Sequence, residues 1–163
     1  MKITPEYVFF WNGIYSQWHK APMTIDRVDF VTCEQYMMYQ KAMLFKDKDI
    51  AHQILMTNNA KEQKSLGRMV QNFDKAVWDK ACLGIVYKGN YAKFSQNEEL
   101  REELLSTGNL ILVEASPLDS IWGIGMAEDA EGIEDPANWK GLNLLGQAIT
   151  LVKQKLNHER VLR

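Results

Sequence analysis

Thr32-Cys-Glu-Gln-Tyr-Met-Met-Tyr-Gln-Lys-Ala-Met-Leu-Phe45 is the stretch on which the reading of the fold turns. Thr32 followed three residues later by Gln35 is a capping-box arrangement, so a helix is expected from Cys33 to Phe45. Stepping 100° per residue, Glu34, Met37, Met38, Lys41, Leu44 and Phe45 fall on one face, which is the stripe expected to meet the core. Two charges therefore stand among apolar positions. Glu34 and Lys41 are seven residues apart, nearly eclipsed around the axis and about 10 Å apart along it, close enough to line one pocket. Burying an unpaired charge costs several kcal/mol, so such residues are paired or are kept for a site. A plainer alternative stands beside this one: Glu34 in the first turn favours the helix dipole, and the Lys41 stem can snorkel.

Upstream, Tyr7 to Trp11, Met23 to Ile25 and Val28 to Val31 read as short strands, the last two joined through Asp26-Arg27 as a hairpin. Downstream, helices are expected over 49–56, over 75 to about 93 with Trp78, Ala81, Cys82 and Ile85 on one face, and over 97–106 with Gly108 closing the last. A strand over 110–113 and an amphipathic helix from about Asn143, striped by Leu145, Ile149, Val152 and Leu156, complete the chain. The expectation is an α+β fold, one predominantly helical domain over residues 1–163 with a small β-sheet. Between Ala115 and Lys140 runs a Gly-, Asp- and Pro-containing loop of a length that in a compact domain is usually functional or mobile.

The 163 residues carry 19 Lys and Arg against 21 Asp and Glu, a net charge of −2, which supplies no general basic field for a nucleic-acid backbone. A local rim of Lys20, Arg27, Lys61 and Lys64 could still serve. At this length a single core buries roughly 68–70% of the unfolded chain's surface, so no metal or disulfide is required for stability. Cys33 and Cys82 have no CxxC or CxxH partner, and His19, His52 and His158 lack metal-ligand spacing, so two reduced structural cysteines and no metal site are expected. The N-terminal residues form no apolar h-region, and no stretch approaches the roughly 18 apolar residues of a membrane span, so a cytoplasmic protein without a membrane partner is expected.

A second cluster, Glu114-Ala-Ser-Pro-Leu-Asp119-Ser-Ile-Trp122-Gly-Ile-Gly125, combines glycines that let a backbone approach a ligand, an indole for stacking and a carboxylate able to position a water or a sugar hydroxyl. A Gly-rich turn with a packing Trp reads equally well. The Gly-Ile-Gly run lacks the rest of a dinucleotide fingerprint. Asn143 suits a cap of the last helix or a donor to a ligand, and Arg68 beside Gly67 suits a phosphate or an ordinary surface position.

In order and spacing, Trp11-Asn12-Gly13, Tyr15-Ser16-Gln17-Trp18, Cys33-Glu34-Gln35-Tyr36, Gln40-Lys41-Ala42, Leu66-Gly67-Arg68, Lys93-Phe94-Ser95-Gln96-Asn97, Leu112-Val113-Glu114, Asp119 through Gly125 and Trp139 through Gly146 resemble the NADAR, or YbiA-like, family. The resemblance runs from about Val8 to Leu156, with departures at Tyr15 and at His19-Lys20 that touch the entrance strand and so bear on substrate choice. It implies a domain that cleaves an N-glycosidic bond to ribose, in ribosylamine phosphates of early riboflavin biosynthesis or in ADP-ribosylated guanine. It assigns proton transfer and oxocarbenium stabilisation to Glu34 and attack on the anomeric carbon to Lys41, an amine desolvated among Met37, Met38 and Leu44. Asp119 would orient ribose hydroxyls or water, Trp122 would stack or close the pocket, and Gly123 would allow close approach. Arg68 would take a phosphate, with Trp18 and Asn143 as further pocket residues. No cofactor is implied. The partners implied are a small ribosylamine phosphate or ADP-ribosyl substrate, with an ADP-ribosylated nucleic acid as a further substrate class; the oligomeric state is left open. A non-catalytic module that binds ADP-ribose is the competing expectation, disfavoured because a binder has no need of Glu34 and Lys41 on an apolar face.

Overall fold

Asp26 and Arg27 both take positive φ, 51° and 68°, the pair of left-handed residues that a two-residue hairpin turn requires. They join β3 (Met23–Ile25) to β4 (Val28–Phe30), which pair antiparallel as expected. The computed structural model describes residues 1–163, which pack as two compact units, residues 17–97 and residues 1–16 with 98–163. The fold is α+β and predominantly helical.

The unit over 17–97 contains that hairpin and four helices: α1 (Cys33–Leu44), α2 (Lys48–Leu55), α3 (Ala60–Gly67) and α4 (Lys75–Gln96). Its core gathers Met23, Ile25, Phe30, Cys33, Tyr36 and Ala92, with the Phe30 and Tyr36 rings edge to face. The open edge of β3 is covered by a side chain: Gln96 accepts from the Thr24 N–H and donates to the Thr24 carbonyl, both at 2.8 Å, as a neighbouring strand would. Lys88 reaches the turn carboxylate of Asp26 at 2.8 Å, so α4 grips the hairpin at two places.

Most expected elements are found within a residue or so of their expected bounds, and three features differ further. Helix α3 is not expected from the sequence, because AKEQKSLG offers no apolar stripe; it buries only Gln63 and Gly67. Its start is nevertheless marked, since the Asn59 side chain accepts the Glu62 N–H at 3.1 Å. Helix α4 runs three residues beyond Lys93, to Gln96. At the start of α1 the Thr32 hydroxyl takes the Gln35 N–H as expected, but Gln35 returns its side-chain oxygen to the Val31 N–H at 2.7 Å, one residue before the cap.

The unit over 1–16 and 98–163 holds a three-stranded sheet in the order β1 (Lys2–Ile3), β2 (Tyr7–Phe10), β5 (Ile111–Glu114), with α5 (Glu98–Ser106) and α6 (Leu144–Val161). β1 and β2 are antiparallel, β2 and β5 parallel with Val8 opposite Leu112. The stripe expected on α6 is found: Leu145, Ile149, Val152 and Leu156 are all buried. The long loop after β5 is not loosely arranged. Ile124 and Ile133 join Tyr7, Phe9 and Val113 in a core cluster, and Trp139 packs edge-on against Tyr7 and Phe9 while its indole N–H donates to the Ile133 carbonyl at 2.7 Å. A short 3-10 turn, Pro136–Asn138, precedes that tryptophan.

Asn143 corrects a further expectation. It makes no side-chain cap to α6; its φ is 54°, and its amide turns back to β5, accepting the Glu114 N–H at 2.9 Å and donating to the Leu112 carbonyl at 3.1 Å. Gly146, one turn on, has no room for a Cβ, which would strike the Leu112 carbonyl and the Asn143 amide. Asn143→Ala should therefore lower the unfolding free energy by about 2–4 kcal/mol, because two backbone groups lose their partners in a buried place and alanine tolerates the left-handed φ less well than asparagine. Urea denaturation checks this, and a loss below about 0.5 kcal/mol would show that the latch is dispensable.

Candidate active site

The N-terminus of α1 is wholly buried, from Cys33 through Met38, and it is fastened from several directions. The Thr32 hydroxyl donates to Gln63 on α3 at 2.6 Å, and the Gln35 amide donates to the Ile54 and Thr57 carbonyls at 3.0 and 3.1 Å. The Glu34 N–H donates to the Gln17 carbonyl at 3.0 Å. The Gln17 side chain is itself held, donating to Met37 Sδ and accepting from Asn90 on α4 at 2.8 Å. Glu34, 6% exposed, is thus placed by backbone and neighbours in a fixed position.

Lys41 lies two turns on and half-buried. Its ammonium sits 4.7 Å from the centre of the Phe73 ring and 5.9 Å from that of Trp78. Burial draws its pKa below the ordinary lysine value; the Glu34 carboxylate opposes that shift and the Arg68 guanidinium adds to it. Glu34, Lys41 and Arg68 accordingly form one electrostatic group. Of the walls expected, Met37 and Met38 are buried and Leu44 is 38% exposed where α1 ends, and the rings of Phe73 and Trp78 stand beside the ammonium in addition. Nothing in the local pattern marks Phe73, and the spacing of Trp78 points only to packing on one face of α4. A cation on two ring faces leaves a signal only in three dimensions.

Arg68 is exposed at the C-terminal end of α3, free to reach solvent-borne anions. Trp18 is 44% exposed, with Lys64 Nζ 6.0 Å from its ring centre, and it lines a cleft.

The remaining expected site residues, Asp119, Trp122, Gly123 and Asn143, belong to the other unit. Asp119 Oδ1 accepts the N–H groups of Ile121 and Trp122 at 2.9 and 2.8 Å, closing an Asx-type turn that fixes the tryptophan backbone. Trp122 is partly exposed. The absence of a side chain at Gly123 serves the loop's own packing, since a Cβ there would come 2.9 Å from the Glu114 carbonyl and 3.0 Å from that of Asp119. Asn143 holds β5, as described above.

Matching these positions to known proteins decides the family. A model of the NADAR domain matches residues 9–157. The chain belongs to the NADAR family. Among its relatives is an N-glycosidase of Acanthamoeba polyphaga mimivirus, 39% identical over 93% of this chain and 97% of the relative. An N-glycosidase of Nostoc punctiforme is 31% identical over 90% and 86%. The NMR structure of the E. coli protein YbiA superposes with a TM-score of 0.80 at 25% identity, covering 98% of this chain and 90% of that one. No helix is long and apolar enough to cross a membrane.

One further charge of this NADAR chain lies inside the protein. Lys93 is fully buried on α4, its ammonium 5.0 Å from the Phe94 ring centre. Burial pulls its pKa down to about 8, with the neighbouring Cys33 thiol opposing the shift. A lysine pKa that is lower folded than unfolded makes the unfolded state bind more protons between the two values, so this residue adds stability as pH rises through about 8 towards 10.5. The size corresponds to roughly 3 kcal/mol across that window. In urea titrations at successive pH values, the wild type should gain on Lys93→Met by an amount of that order between pH 7.5 and 10.5. A difference that stays constant with pH would exclude the buried charge as its source.

Proposed function

We propose that the chain hydrolyses an N-glycosidic bond to ribose or ADP-ribose, with Glu34 as the acid–base and Lys41 as the nucleophile at the anomeric carbon. N-glycosidase activity comes from the family and its named relatives; the residue roles rest on one observation, a fixed buried carboxylate coupled to a half-buried amine whose pKa is lowered. Breaking a glycosidic C–N bond needs a proton for the leaving nitrogen and an electron pair for the anomeric carbon. The neutral Lys41 amine attacks that carbon, the C–N bond breaks with its electrons passing to nitrogen, and Glu34 delivers the proton that nitrogen takes up. The attached Lys41 nitrogen then gives a proton to the Glu34 carboxylate, and the ring C–O bond breaks with its electrons passing to the ring oxygen, which takes that proton from Glu34 and leaves a protonated imine. Water then adds to the imine carbon with Glu34 accepting its proton, and the amine leaves, restoring Lys41 and freeing the sugar. Arg68, close enough to bias Lys41, is assigned the substrate phosphate. Asp119 and Trp122 keep the substrate-contacting roles that the family resemblance implies. The two substrate classes are ribosylamine phosphates of the riboflavin route and ADP-ribosylated guanine. The whole of residues 1–163 acts as one domain in this reading.

Glu34→Gln should lower turnover at least 100-fold, since a placed acid–base contributes typically 10²–10⁴-fold; near wild-type turnover of a folded variant would remove Glu34 from the mechanism. Borohydride added during turnover should leave a ribosyl adduct on the peptide containing Lys41, and its absence would leave direct attack by water. The acid limb of the rate profile should follow loss of the Lys41 proton, with a midpoint below 10.5. Arg68→Ala removes a like charge and should move that limb to higher pH; a limb that stays or moves to lower pH contradicts the coupling.

A further inference from the structure

Lys41 keeps its ammonium over ring faces, 4.7 Å from the centre of Phe73 and 5.9 Å from that of Trp78. The two rings have different reasons to be there. Trp78 belongs to α4 and is part-buried, as a packing residue should be. Phe73 stands between α3 and α4 and leaves 46% of its surface in solvent. A ring so exposed gives up much of the burial that ordinarily accounts for an aromatic side chain, so its place needs another account.

The segment that carries it is tightly fastened. Where α3 ends, a Cβ on Gly67 would strike Met38, so α3 closes on α1 one turn before Lys41. Arg68 follows directly, and Val70 is buried. The Gln71 N–H donates to Asp47 Oδ2 at 3.0 Å, while Oδ1 of the same carboxylate caps α2 by accepting the Ile50 N–H at 3.2 Å. Asn72 takes a φ of 60°, a left-handed conformation that asparagine adopts more readily than most residues. Phe73 then meets the ring of Phe45, the cap that ends α1, edge-on with centroids 5.4 Å apart. Asp74 closes the segment by accepting the Ala76 and Val77 N–H groups at the start of α4. Residues 68–74 thus bring Arg68 and Phe73 to the same amine from one short, anchored stretch.

We infer that Phe73 is a positioning residue acting through Lys41: its ring face receives the ammonium and favours the charged amine against the Arg68 guanidinium carried by the same segment. The negative face of an aromatic ring attracts a cation and offers a neutral amine no comparable hold. The charges that act on Lys41 are Glu34 on its own helix, which supports the charged form, and Arg68, which joins burial in opposing it. On the α2 side the Asp47 carboxylate is engaged by the two backbone amides named above. The ring therefore adds to Glu34, and the segment sets the pH range over which the amine becomes neutral. That this amine is the nucleophile rests on the function proposed above; the hold of the ring on it does not.

Competitive acetylation of the full chain at successive pH values, read by mass spectrometry on the peptide containing Lys41, gives the midpoint of that amine without any substrate. Phe73→Leu keeps an apolar side chain and removes the π-face, so the midpoint should fall by about half a pH unit, as expected of an exposed cation–π contact. Phe73→Met, also without a π-face, should match it, and Phe73→Tyr, which keeps the face, should hold the wild-type midpoint. The acid limb of the rate profile should move to lower pH by the same amount in Phe73→Leu, a change that a merely structural aromatic would not cause. A midpoint that stays or rises in the Leu and Met variants overturns the inference, as does a fall in Phe73→Tyr equal to theirs. If Lys41→Met kept its turnover, the proposed function would fail while the acetylation result stood. An unmoved midpoint beside an inactive Lys41→Met would remove the role of Phe73 alone.

Discussion

The side-chain amide of Gln35 is the contact on which the rest of the unit over residues 17–97 depends. Its oxygen holds the Val31 N–H at the end of the hairpin, and its nitrogen holds the Ile54 and Thr57 carbonyls at the end of α2. One buried amide thus fixes the β4 exit, the α2 terminus and the loop into α3 to the first turn of α1. In a buried position an amide that satisfies several backbone groups is costly to replace, because each would lose its partner. Glu34, its neighbour in sequence, inherits that rigidity.

Rigidity also explains the electrostatics. A carboxylate and an ammonium in water would influence each other weakly, whereas a burial gradient along α1 sets them apart: Glu34 lies inside, and Lys41 is half in solvent between two aromatic rings. The rings favour the charged amine, as does Glu34, while burial and Arg68 favour the neutral one. A group held between opposing influences changes protonation with small changes around it.

The sequence revealed what local chemistry determines. The Asp26-Arg27 turn, the Thr32 cap, the α6 stripe and the two charges of α1 follow from spacing alone, because caps, turns and apolar periods are encoded within a few residues. What could not be read depends on distant partners. Helix α3 is held by Gln63 and by its cap, with no apolar period to betray it. The Asn143 amide turned to β5, and not to its own helix, because Leu112 and Glu114 present backbone groups there. Phe73 and Trp78 meet Lys41 only after α1 and α4 have packed. In the same way Gly123 looked like an opening for a ligand in a linear reading, and proved to be a place where two carbonyls crowd.

The parallel pairing of β2 with β5 orders the events of synthesis. Val8 and Leu112 stand opposite each other although 104 positions separate them, while residues 17–97 form one continuous stretch with its own core. On a growing chain that stretch is complete before β5 has emerged, and β2 must wait with an apolar, unpaired edge until it does. Closing so long a loop is slow by comparison with packing neighbouring helices. The unit bearing Glu34 and Lys41 therefore takes shape first, and the sheet of the other unit is closed last.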